Sequence, residues 1–74
     1  MQITVKLFAS YRVGRFKEAV RDYPVGFSVG DLLQALDFTE KPPGVVLLNG
    51  MPTVPETELH DRDTVALFPL ISGG

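Results

Sequence analysis

Few residues in this 74-residue chain have the chemistry that an active site needs, and their positions narrow the choice further. There is no cysteine, which removes a thiolate nucleophile, a thiolate metal site and a disulfide framework together. The single histidine, His60, sits in the segment His60-Asp61-Arg62-Asp63, where an imidazole and two carboxylates have the means to ligate a metal or exchange a proton. Aspartate is also a standard turn former that accepts hydrogen bonds from its own backbone, and for Asp61 and Asp63 that structural reading is much the stronger. Ser10, Ser28 and Ser72 have no base close in sequence, and no glycine-rich loop joins a strand to a helix. Neither a serine nucleophile nor a nucleotide phosphate site is indicated. The chain is not expected to catalyse a reaction alone.

The unusual chemistry is at the end. After Phe68-Pro69 the chain runs Leu70-Ile71-Ser72-Gly73-Gly74, two apolar residues and then two glycines. Proline ends a strand and stiffens the exit, whereas glycine has no Cβ and passes where any side chain would clash. Such a tail suits insertion into a narrow active site of another protein. A Gly-Gly ending that arises by chance is an equally good reading of the tail taken alone.

A tail of this kind needs a body to hold it. Ile3, Val5 and Leu7 alternate with Gln2, Thr4 and Lys6, the period of a half-buried strand, which puts Phe8 on the other face. Residues 9–14 are too short for a stable helix and form a turn or one helical turn. Phe16, Ala19, Val20 and Tyr23 have helical spacing, and periodicity alone slightly favours a helix, although residues 20–23 leading into Pro24-Val25-Gly26 also look like a strand that ends in a turn. Ser28 is a good helix N-cap with Asp31 three residues on, and Val29, Leu32, Leu33 and Leu36 then form one apolar stripe that stops between Asp37 and Thr39. Glu40-Lys41-Pro42-Pro43-Gly44 is a loop, and the continuous apolar run Val45-Val46-Leu47-Leu48 reads as a central strand. Asn49-Gly50 turns the chain, Pro52 and Pro55 keep the next piece short, Leu59 offers one anchor, and residues 64–68 form the last strand. One helix on one sheet is a two-layer α+β domain.

Composition agrees with a single small soluble domain: 45% of residues are hydrophobic, 22% are charged and the net charge is −2. The N-terminus has no secretion-signal pattern and no apolar run reaches membrane-span length, so a cytoplasmic protein with no membrane partner is expected. Lys6, Arg12, Arg15, Lys17 and Arg21 cluster among Phe8, Tyr11 and Phe16. The acidic overall balance and the absence of a binding motif argue against a nucleic-acid partner.

Taken jointly, Met1-Gln2-Ile3-Thr4-Val5-Lys6-Leu7-Phe8-Ala9, Ser28-Val29-Gly30-Asp31-Leu32-Leu33, the Asn49-Gly50 turn, and Asp63-Thr64-Val65-Ala66-Leu67-Phe68-Pro69 followed by Ser72-Gly73-Gly74 resemble the MoaD/ThiS sulfur-carrier family over nearly the whole chain. The Lys-Leu-Phe-Ala start and the Ala-Leu-Phe-Pro ending are closer to the small subunit of molybdopterin synthase than to the thiazole-pathway carrier. The resemblance implies a β-grasp (ubiquitin-like) fold, a mixed sheet with one main helix on one face, and a hairpin before that helix; on this ground residues 16–23 are assigned as strand. It also implies a domain over residues 1–69 and a flexible tail over residues 70–74.

By the same resemblance, an E1-like adenylating enzyme (MoeB/ThiF-like) activates the Gly74 carboxylate with ATP, and sulfur replaces the adenylate. The thiocarboxylate then gives its sulfur to a pterin precursor held by the molybdopterin synthase large subunit (MoaE-like), in molybdenum or tungsten cofactor biosynthesis. ATP is the partner's substrate, and no cofactor is expected on this chain. Gly73 is carried over as the residue that passes through the partner's channel. A carrier that docks on two enzymes needs exposed apolar residues beside its tail, and Phe8, Phe68, Leu70 and Ile71 are the expected partner-binding set. The alternatives are a thiamin-pathway carrier, a ubiquitin-like protein modifier and a β-grasp binding module with an incidental tail. Three departures stand out: a short segment over residues 10–14, Arg62 where glycine is common, and Leu70-Ile71 in place of Pro-Val.

Overall fold

The computed structural model describes residues 1–38 and 44–70. Strand β1 (Gln2–Leu7) buries Ile3, Val5 and Leu7 completely, the outcome that its alternation dictates. A 3-10 turn over Ala9–Arg12 leads to β2 (Glu18–Asp22), which pairs antiparallel with β1. Helix α1 (Val29–Ala35) follows, then β3 (Val45–Leu48), the two-residue β4 (Met51–Pro52) and β5 (Thr64–Phe68). The sheet order is β2-β1-β5-β3-β4, with β1 and β5 parallel and the other pairs antiparallel. One helix on one face of this mixed sheet is the α+β, β-grasp arrangement expected from the sequence.

Local chemistry explains each boundary of α1. Ser28 Oγ accepts the Asp31 N–H at 3.1 Å while an Asp31 carboxylate oxygen accepts the Ser28 N–H at 2.9 Å, a complete capping box. The helix ends at Ala35, earlier than its stripe suggests, because Asp37 takes φ 64°. The Asp37 N–H then reaches the Gln34 carbonyl and the Phe38 N–H the Leu33 carbonyl, a Schellman closure that folds Phe38 into the core. Val29, Leu32, Leu33, Leu36, Phe38 and Leu59 pack with the buried side chains of β1 and β5 in one core.

The strand Val45–Leu48 is not central, contrary to its continuous apolar run. The centre belongs to β5, and β3 has only the two-residue β4 on its outer side. Val45 is exposed and Val46, Leu47 and Leu48 are half-buried, because α1 covers one face of the sheet and no second layer of described residues covers the other. Asn49 (φ 51°) and Gly50 (φ 84°) form the turn between β3 and β4, both in the positive-φ region that a two-residue type I′ hairpin requires. Residues 16–23 do contain a strand, as the family likeness led us to expect and the spacing did not.

Candidate functional site

The parallel pairing of the first and last strands assembles the site. Leu7 lies beside Leu67 in the register, and the Phe8 N–H donates to the Leu67 carbonyl at 3.2 Å. Since Leu7 and Leu67 are buried under α1, the next residue of each strand faces the opposite side of the sheet. There the Phe8 and Phe68 rings stack with centroids 4.2 Å apart and planes 9° from parallel. Both are half-buried, because each covers one face of the other. Arg12 is held against them: its Nε donates to the Leu7 carbonyl at 2.8 Å, and its guanidinium lies 5.5 Å from the Phe8 ring centre.

The antiparallel register of β3 extends this surface, placing Val45 opposite Phe68 and Leu47 opposite Ala66. Phe8, Phe68, Val45, Ala66 and Leu47 therefore form an apolar strip across three strands of the open face. Sequence reasoning picked out the two phenylalanines and missed Val45 and Leu47, whose run looked like buried core. The signal that would have found them is pairing with β5, in which the residues facing Phe68 and Ala66 must share their face.

Beyond Phe68 the chain passes through Pro69 to Leu70, which is 76% exposed and borders the strip. The exit is shaped by Gly44. A Cβ at that position would overlap Leu70 Cγ and lie 2.8 Å from Leu70 Cα, so the root of the tail packs against the residue just before β3, where only glycine leaves room. Ile71, Gly73 and Gly74, the other expected site residues of the tail, lie outside the described residues.

The acidic turn is structural in its contacts. Asp61 accepts the Gln2 N–H at 2.7 Å, and Asp63 accepts the His60 N–H at 2.8 Å and the Asn49 side-chain amide at 2.9 Å. The His60 ring is exposed and 4.0 Å from the Glu58 carboxylate. Among the described residues no group of three or more His, Cys, Asp or Glu side chains is placed to hold a metal ion. The Tyr23 phenol is pushed above its ordinary pKa by burial, with the Arg21 charge opposing. It sits at the other end of β1 from the stacked rings, opposite Met1.

An apolar strip at the root of a chain end whose sequence closes on Gly73-Gly74 invites comparison with known proteins. The model of the ThiS family matches residues 5–74. The chain belongs to the ThiS family. Among solved structures, this ThiS-family chain is 28% identical to SAMP1 from Haloferax volcanii over 100% of both chains, with a TM-score of 0.82. It is 28% identical to a putative molybdopterin converting factor subunit 1 from Pyrococcus furiosus, over 96% of this chain and 99% of that one, again with a TM-score of 0.82. The complex of subunits 1 and 2 of the molybdopterin-converting factor from Helicobacter pylori contains a chain with the same fold at 21% identity, 100% coverage of both chains and a TM-score of 0.68. A comparison with curated protein sequences gives no match. The ThiS family is one of small ubiquitin-like sulfur carriers of the ThiS/MoaD type, which places this chain in that class. Among the described residues no helix is long and apolar enough to cross a membrane.

Proposed function

We propose that this protein carries sulfur as a thiocarboxylate on Gly74 and delivers it in the assembly of a molybdopterin-type cofactor. The observation that carries this reading is the stacked Phe8–Phe68 strip, continuous with the root of the tail at Leu70. A docking face at that place holds the partner against the segment that leads to Gly73-Gly74.

The chemistry needs a partner because a carboxylate is a poor acyl electrophile and its oxygen a poor leaving group. An E1-like enzyme joins the Gly74 carboxylate to AMP from ATP, with pyrophosphate released, and a sulfur nucleophile then displaces AMP. The resulting thiocarboxylate supplies sulfur to a precursor bound by a MoaE-like large subunit, and water returns Gly74 to the carboxylate. This chain contributes the acyl group and the docking face; the activating enzyme and the large subunit contribute the catalytic groups. The molybdopterin branch is supported by the likeness to the Pyrococcus furiosus subunit 1, and a second-subunit partner by the complex from Helicobacter pylori.

Likeness to SAMP1 along the whole chain favours a second reading, a protein modifier joined through Gly74 to lysines of other proteins, since that relative is a small archaeal modifier protein. Mass spectrometry of the protein from its native cell distinguishes the two. Sulfur in place of one terminal oxygen is the expected result for a carrier, and branched Gly-Gly conjugates on other proteins are expected for a modifier. Recovery of only the unmodified chain under every growth condition would refute both. Restoration of molybdenum-enzyme activity, rather than thiamin-independent growth, in deletion strains assigns the acceptor pathway.

A further inference from the structure

The second surface of interest lies at the other side of the molecule, where β2 forms an edge of the sheet. The Leu7 N–H donates to Lys17 and the Tyr23 N–H to Met1, and Ala19 and Arg21 lie opposite Val5 and Ile3. The odd-numbered residues of β2 therefore hold the ladder to β1. Because antiparallel ladders alternate, the backbone groups of Glu18, Val20 and Asp22 point outward, and no hydrogen bond occupies them among the described residues.

On the helix side of this edge runs a groove of about 420 Å³, with Val13, Phe16, Ala35 and Leu36 as apolar lining, Arg15 and Arg21 as cations and Asp37 as the one acid. The Arg15 guanidinium lies 4.4 Å from the centre of the Phe38 ring and that of Arg21 4.8 Å from Phe16. Among the described residues neither makes an ion pair with a carboxylate. A guanidinium resting on a ring is fixed in place while its in-plane N–H groups stay available for the fork of a carboxylate. Five of the seven cationic residues of the chain lie between residues 6 and 21, against one of its nine acids, Glu18.

We propose that the groove between β2 and α1 is a second docking site, which takes an extended acidic peptide segment of a protein partner by strand addition to β2. The outward N–H and C=O groups of Glu18, Val20 and Asp22 bind its backbone, and its residues on the helix side, apolar and acidic in turn, enter the groove and reach Arg15 and Arg21. A nucleic acid fits less well, because it would leave the N–H and C=O groups of the strand edge unpaired. The site is on the helix side of β2 and the Phe8–Phe68 strip is on the open face, so a partner held here leaves the tail free to engage an enzyme.

The test is a titration of the isotope-labelled full chain, followed by amide chemical shifts, with an acetylated and amidated octapeptide that has valine and glutamate in turn at its odd positions and threonine between them, so that both share one face of the strand. The lysine counterpart of that peptide and a short oligodeoxythymidine serve as competing probes. The expected result is shifts at Glu18, Val20, Asp22, Leu36 and Asp37, with Phe8 and Phe68 unmoved, and a dissociation constant about tenfold weaker in Arg15→Glu or Arg21→Glu. Equal binding of the lysine peptide, tighter binding of the oligonucleotide, shifts confined to the Phe8–Phe68 strip or no shifts at all would overturn the proposal. So would concentration-dependent shifts at β2 without peptide, which would mean that a second copy of this chain occupies the edge. None of these outcomes depends on the chemistry of Gly74.

Discussion

Gly44 and Arg62 show how much one Cβ decides in this domain. In Gly44→Ala the new methyl would meet Leu70 Cγ and also the Leu70 backbone, which cannot swing aside as a side chain can. The substitution should cost about 1–3 kcal/mol in urea denaturation, as overpacking does, and should slow adenylation by the activating enzyme because the root of the tail is displaced. Unchanged unfolding would show that the close approach is absent. Arg62 presents the opposite case, with φ at 70°. A non-glycine residue in that conformation costs about 1–2 kcal/mol, and a glycine loses about 0.5–1 kcal/mol more entropy on folding. The Arg62 side chain is exposed and 3.9 Å from Asp61, a pair of little worth. Arg62→Gly should therefore stabilise the protein by about 0.5–1 kcal/mol in chemical denaturation; a loss of stability would mean that the exposed side chain contributes to the turn.

At the scale of elements, the turn over residues 60–63 ties together three strands that are distant in sequence. Asp63 links the His60 backbone to the Asn49 side chain, Asn49 accepts the Thr64 N–H at 2.9 Å, and Asp61 holds the start of β1 through Gln2. Asp63→Ala leaves two donors, the His60 N–H and the Asn49 side-chain amide, without their acceptor and should cost about 1–3 kcal/mol, whereas the exposed His60→Ala should change stability by less than about 0.5 kcal/mol. Equal costs in thermal melts would assign His60 a role that its surroundings do not show. The choice between a turn and a metal site was legible in the residue types, because aspartate near a reversal has backbone donors within reach. The strands that this turn would join were not, because they lie tens of residues away.

At the scale of the whole molecule, the proposed function rests on a face and a tail. Phe8→Ala and Phe68→Ala should each weaken binding of the activating enzyme by about 1–3 kcal/mol, as loss of an aromatic anchor does, with a smaller loss of folding stability. If melting shows both proteins unfolded while affinity in the folded fraction is spared, the stack is structural. Gly73→Ala should leave unfolding unchanged within about 0.5 kcal/mol and slow single-turnover transfer by about tenfold for each 1.4 kcal/mol of lost transition-state stabilisation. Equal rates would remove passage through a narrow channel as the reason for glycine. The alternation in β1 and β5, the Ser28–Asp31 cap and the Asn49-Gly50 turn were determined by the sequence itself, since each signal is complete within a few residues. Tertiary structure alone decided three things. Residues with helical spacing became β2 because pairing with β1 satisfies their backbone; β5 displaced β3 from the centre because the first and last strands pair; and Val45 and Leu47 became surface because the single helix covers only the other face of the sheet.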